Sequence, residues 1–123
     1  MGTWQYKLTG STTIYQAGQI VGTAPADDNG NVSISKSGEN DLYIQGGLYP
    51  NGQIFTITGN KISTGAYNVS ETQNGVNMVG TEIDNGTLGA NLIVIDGSIT
   101  GTWNNSNNAY GNFSGSVTAT LTK

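Results

Sequence analysis

The chain of 123 residues contains no cysteine, no histidine and no arginine. Without cysteine there are no disulfides. Without cysteine and histidine there is no Cys/His zinc site and no nucleophile–histidine relay. Without arginine, four lysines carry all the positive charge against eight carboxylates, for a net charge of −4. Nucleic-acid binding neutralises phosphates with Lys and Arg, and four scattered lysines make no basic stripe, so nucleic acid is not an expected partner. An anionic membrane surface is disfavoured for the same reason. Charge of either sign is scarce, at 10% of residues, and proline occurs only twice. Long apolar runs are missing too. The longest, residues 92–95, has four residues, so neither a membrane span nor a signal peptide is expected.

What the chain has instead is glycine, at nineteen positions, together with many Thr, Ser, Asn, Val, Ile and Tyr residues. No window shows the apolar spacing of a helix, while β-branched and aromatic residues favour strands. The clearest stretch is the last third. From Phe113, the residues Phe113, Gly115, Val117, Ala119 and Leu121 alternate with Ser114, Ser116, Thr118, Thr120 and Thr122. Successive strand side chains point to opposite faces, so this is a strand with one dry and one wet face. Upstream, Ile99, Gly101 and Trp103 alternate with Ser98, Thr100 and Thr102, and the Asn-rich residues 104–108 read as a hairpin loop. At the other terminus Trp4, Tyr6 and Leu8 alternate with Thr3, Gln5, Lys7 and Thr9.

Between these ends, turn chemistry divides the chain into eight to ten short strands, a pattern of all-β barrels and sandwiches. Turns are expected at Gly10-Ser11, at Ala17-Gly18, and most strongly at residues 25–31 (PADDNGN). Others are expected at residues 37–40 and 47–52, at Asn74-Gly75, at Asp84-Asn85-Gly86 and at Asp96-Gly97. The first and last strands both alternate cleanly. Left open, such edges invite pairing with another chain, and pairing them with each other removes the liability. The expected fold is therefore all-β: a single antiparallel up-and-down β-barrel over residues 1–123, with a β-sandwich as the alternative. About eight strands leave an interior for side chains or one small ligand.

Gly2-Thr3-Trp4 adds a resemblance. A Gly-x-Trp opening the first strand resembles the calycin superfamily: lipocalins, fatty-acid-binding proteins and avidins. The segment GTWQYKLTGST is similar to the first avidin hairpin, with its Gly-Thr-Trp, a Leu four residues after the Trp, and a Gly-Ser-Thr turn. SITGTW and GNFSGSVTATLTK resemble the closing hairpin of small bacterial exported barrels. The resemblance implies a lipocalin-like barrel for a small ligand. It does not imply biotin. The avidin Asn two places after this Trp is Tyr6 here, and only Trp103 could stand for the later tryptophans of that pocket. The lipocalin Arg that packs over the first-strand Trp has no counterpart, and Lys123 is the only basic residue near the end.

The candidate ligand-binding residues are the aromatics Trp4, Tyr6, Trp103, Tyr110 and Phe113. They gather on strands expected to be neighbours, where they either fill the core or line an apolar pocket. An exposed platform for sugar rings is the other use of such rings. Catalysis has only Asp, Glu, Lys and Tyr to draw on. Glu71 and Glu82 lie on two arms of an expected hairpin and could face each other as a glycosidase pair needs. Carboxylates in alternating contexts are more simply solvated. Asp27, Asn29 and Asn31 have the spacing of the first three calcium-loop ligands, but Val32 and Gly38 stand where that loop needs Gly and Glu. No catalytic residue, metal or cofactor is expected. The expected function is a non-enzymatic module for a small apolar or aromatic ligand. A structural or adhesive domain binding glycans or a protein is the first alternative, and a carboxylate-dependent enzyme the second. The charge-poor polar surface points to an exported bacterial protein, periplasmic or extracellular. Met1 before Gly2 reads as an added start on a trimmed mature domain.

Overall fold

The computed structural model describes residues 2–123, with the backbone alone at Gln73; the reading of Met1 lies outside the described residues. Eight strands follow one another: β1 (Gly2–Gln16), β2 (Gln19–Gly38), β3 (Asp41–Gly46), β4 (Tyr49–Thr58), β5 (Lys61–Gln73), β6 (Val76–Leu88), β7 (Leu92–Asn105) and β8 (Tyr110–Thr122). Each pairs antiparallel with the next, and β1 pairs with β8 from Gln5↔Thr122 to Tyr15↔Asn112. The sheet closes into an up-and-down barrel, and no sandwich forms. This architecture is consistent with a calycin-like fold. No helix among the described residues is long and apolar enough to cross a membrane.

Closure follows from the alternation at the two termini. Tyr6 lies opposite Leu121 and Leu8 opposite Ala119, so the dry faces of the first and last strands become one interior surface. The end of the barrel that holds the termini is filled. Trp4, Tyr6, Val32, Ile34, Leu42, Ile44, Phe55, Ile62, Ile93, Ile95, Ala119 and Leu121 form one buried cluster. Each large apolar side chain so placed contributes roughly 1.5–3 kcal/mol relative to exposure. The turns at this end are tied to the wall. The carbonyls of Asn40, Asn60 and Asn91 accept from the amides of Ile57, Leu88 and Lys123 at 2.7, 2.7 and 3.2 Å. The Lys123 ammonium stands 5.8 Å from the centre of the Trp4 ring. At that distance the ammonium and the ring face attract through a cation–π interaction.

Several expected turns are strand instead. Residues 25–31 run inside β2 and pair with β1, Pro25 opposite Ser11 and Asp27 opposite Thr9. The reason is position. Among the described residues, β2 has no β3 partner before Val32. A proline and two aspartates are tolerated on that free edge, where a missing N–H costs no ladder bond and charge deters stray pairing. Gly10-Ser11, Asp84-Asn85-Gly86 and Asp96-Gly97 likewise lie mid-strand between two neighbouring strands, and of these residues only Asp84 lacks a ladder partner on one side, toward β5. Asp27, Asn29 and Asn31 sit at alternate positions of a strand and form no loop. Of residues 47–52, only Gly47-Leu48 turns. The turns at Ala17-Gly18 and Asn74-Gly75 form as expected, with positive φ at all four residues.

The wall is uneven. β3 has 6 residues and β4 has 10, whereas β1 has 15 and β2 has 20. β4 and β5 pair through only Thr56↔Ser63, Ile57↔Ile62 and Thr58↔Lys61. Beyond Ser63, β5 continues along β6 alone among the described residues. The lumen is therefore packed at the terminal end, and its wall is low on the β3–β4 side.

Candidate functional site

The interior changes character where the filled end stops. On β6 the inward positions read Met78, Gly80, Glu82, Asp84, Gly86 and Leu88, placing two carboxyl groups on a face that is otherwise apolar or bare. Asp84 is 1% exposed. Two tyrosines reach it from other strands. Tyr49, at the start of β4, donates its hydroxyl to Asp84 Oδ2 at 2.9 Å, and Tyr67 on β5 lies 2.7 Å from the same atom. The Tyr67 hydroxyl also lies 2.5 Å from Glu82 Oε2. Tyr49 is held by its ring, which meets Phe55 edge-on at 5.6 Å.

A β-bulge aims Tyr67 inward. Ser63 pairs with Asn85 and Ala66 with Ile83, so Thr64 and Gly65 together oppose Asp84. One extra residue reverses the alternation of everything beyond it. Ile62 and Thr64 face inward before the bulge, and Tyr67 faces inward after it, opposite Glu82. Gly65 takes the left-handed conformation the bulge needs, at φ 68°. The Thr64 hydroxyl accepts from the Asp84 amide at 3.1 Å, a bond the interrupted ladder cannot supply.

The cluster is short of protons. A phenol has one O–H, and Tyr67 touches a carboxyl oxygen on each side. If Tyr67 donates to Asp84, its contact with Glu82 is a hydrogen bond only when Glu82 is protonated and donates to the phenol oxygen. Burial, with the adjacent Asp84 carboxyl, pushes Glu82 up to about 7, consistent with that arrangement. Burial and the same carboxylates push both phenols well above the usual tyrosine range. Asp84 Oδ1 has no hydrogen-bond partner among the described residues. It lies against the Cα of Gly97, where any side chain would collide with it.

Part of this cluster borders a cavity of about 180 Å³. Glu82, Asp84 and Tyr49 make its polar side, and Leu8, Leu48, Ile95, Val117 and Ala119 its apolar side. An engineered apolar cavity of ~150 Å³ holds benzene, so one ring fits here. A larger open groove of about 630 Å³ runs over the outer wall past Lys61, Ile83, Asn85, Asp96, Ser98 and Thr118. Its side chains stand mostly exposed. Among the described residues no group of three His, Cys, Asp or Glu side chains could hold a metal ion.

The five expected aromatics do not share one site. Trp4 and Tyr6 belong to the buried cluster at the filled end. The Tyr6 ring covers Gly30 and Gly47, and its hydroxyl donates to Asp28 Oδ2 at 2.7 Å. Trp103 and Phe113 are buried nearer the hairpin tips. The Trp103 indole crosses Gly111 to donate to the Tyr15 carbonyl at 2.9 Å, and Phe113 lies over Gly80 and Gly101. Tyr110 is 75% exposed. None of the five borders the 180 Å³ cavity. Glu71 lies opposite Met78, not opposite Glu82, so those two glutamates do not form a pair.

Comparison with protein families, curated proteins and solved structures finds no match. The site therefore rests on its own geometry. Sequence reasoning missed Tyr49, Tyr67 and Asp84. Asp84 sits in an Asp-Asn-Gly, which reads as a turn, and Tyr49 next to Pro50, within an expected turn. One signal was present: Glu82 and Asp84 alternate in phase with Met78 and Leu88, and two acids on a dry face need partners.

Proposed function

We propose that this barrel is a non-enzymatic binding module that seats a small, mostly apolar ligand in the lumen cavity beside its packed end. The observation that carries this reading is the boundary inside the barrel. Side chains fill one half, and beyond them apolar walls surround a cavity with a few converging polar groups, the usual make-up of a small-molecule site. Glu82 and Asp84 both touch one phenol oxygen. They leave no room for a sugar ring between them, which favours binding over glycoside cleavage. Saturation-transfer NMR with toluene and phenol as probes tests the reading. Both take up magnetisation from the protein, and Val117→Trp, which fills the cavity, abolishes it while the variant still melts cooperatively. No transfer to either probe at millimolar concentration overturns the reading.

A second reading has its own support. The outer groove offers an amide, a carboxylate, hydroxyls and a lysine beside Ile83, the equipment of a glycan- or protein-binding surface. A glycan array separates the two, because glycan binding that survives Val117→Trp belongs to the outer wall. The polar, charge-poor surface also supports an exported location, which signal-sequence processing in the source cell would test.

A further inference from the structure

We infer that the free edge of β5, residues 66–72, docks a second copy of this chain, the two strands pairing antiparallel about a two-fold axis at Val69. Beyond Ser63, β5 bonds to β6 alone among the described residues, from Ala66 to Gln73. At alternate residues of that stretch the N–H and C=O point away from β6, a ready template for another strand. Ala66, Asn68, Ser70, Glu71 and Thr72 are exposed, so an incoming strand reaches this edge. Two other stretches are open on one side in the same way: residues 19–31 of β2 and residues 49–55 of β4. The chain has two prolines, and each lies on one of those edges, Pro25 with Asp27 and Asp28 on β2 and Pro50 on β4. Proline and charge on an edge deter pairing with another chain. The β5 edge has no proline, no lysine and one acid, Glu71, while Tyr67, Val69 and Thr72 favour a strand. Of these three edges it is the one left able to pair.

A second copy suits this edge by register and by charge. A two-fold axis between antiparallel strands keeps each face of the sheet on its own side, so exposed residues meet exposed ones. With Val69 opposite its own copy, Ala66 meets Thr72, Asn68 meets Ser70 and Tyr67 meets Glu71. All seven residues from 66 to 72 then pair, a longer ladder than the three pairs that hold β4 to β5 or the six that hold β2 to β3. Glu71 is the one charge in the stretch, and the register sets each Glu71 four residues from the other along the ladder. That separation is roughly 14 Å, beyond the screening length of about 8 Å, so the two acids do not oppose the join. Pairing β5 with a copy's β2 instead brings Glu71 against the edge that bears Asp27 and Asp28, where like charges repel.

Sedimentation equilibrium of the full chain from about 10 µM to 1 mM is the test, a range suited to a contact as small as one strand pair. The mean mass rises with concentration toward twice that of one chain. Asn68→Lys with Ser70→Lys sets lysine opposite lysine across the join and weakens the dimer at least about tenfold. Both positions are exposed, so the barrel of this variant still melts cooperatively. The added lysines also bring the net charge of −4 nearer zero, which by itself favours association, so the loss belongs to the edge. Asn68→Lys with Ser70→Glu sets lysine opposite glutamate and restores the dimer. A wild type still monomeric at about 1 mM overturns the inference and leaves the edge to a strand of another protein. A dimer that the paired lysines leave intact, or that the lysine–glutamate pair fails to restore, overturns it as well.

Discussion

The raised pKa of Glu82 makes stability depend on pH in an unusual direction. A surface carboxylate in an ion pair is lowered on folding and stabilises above its own range. Glu82 goes the other way, from 4.5 to about 7 on folding. Between those values the folded chain holds a proton that the unfolded chain has lost, so raising pH favours unfolding. The stabilising effect of the protonated group is complete below about pH 4.5 and is lost as pH rises through about 7. Unscreened, a shift of that size amounts to about 3 kcal/mol. Glu82 is only half-buried, and solvent screening reduces the effect to roughly 1–2 kcal/mol. For a domain of this size that is a fall in melting temperature of roughly 5 °C between about pH 5 and pH 8. The assay is thermal unfolding by circular dichroism across that range, on the wild type and on Glu82→Gln. Glutamine keeps the shape of the protonated acid and cannot ionise, so its curve should lose most of the slope. The difference between the two proteins cancels the carboxylates they share. Parallel curves would refute the reasoning, because the pH dependence would then arise elsewhere.

Two further outcomes follow from the packing and the bulge. Phe55→Ala removes a ring with no solvent exposure that also braces Tyr49, and urea denaturation should show a loss of about 3–5 kcal/mol. Gly65→Ala puts a side chain on a left-handed backbone with open space around it, so its cost of about 1–2 kcal/mol comes from conformation alone; the amide resonances of Asp84 and Tyr67 should shift while those of β1 and β8 stay in place.

The barrel was legible in the chain because its interior is built by strict alternation at the ends. Trp4, Tyr6 and Leu8 on one strand, and Phe113 to Leu121 on the other, announce two dry faces that need each other. Turn chemistry was a poorer guide. Asp-Asn-Gly and Asp-Gly turn a chain only when the flanking strands pair with each other. Here both neighbours already hold them straight, and Gly86 and Gly97 serve as close-approach points inside the wall. The site was least legible because it depends on a register slip. Gly65 reads as a break between residues 60–64 and 66–72, but not as one extra residue in a continuous strand, and that residue is what lets Ile62 and Tyr67 share the inner face. Glu82 was noticed and matched with the wrong partner because the register set by the Asn74-Gly75 turn, which places Tyr67 opposite it and Glu71 opposite Met78, was not counted out. The aromatic residues were seen correctly as interior groups at Trp4, Tyr6, Trp103 and Phe113, but burial alone does not tell a plug from a lining.

The three-rung join between β4 and β5 has a mechanical consequence. A stave held by so few bonds is the first to swing when the cylinder breathes, so backbone amides there should exchange with deuterium well before those of β7 and β8. The Tyr49–Asp84 bond spans that loose stave like a latch from the β4 side to the β6 side. Anything that draws Asp84 away from the phenol unfastens it, so Tyr49→Phe should make this hairpin open faster.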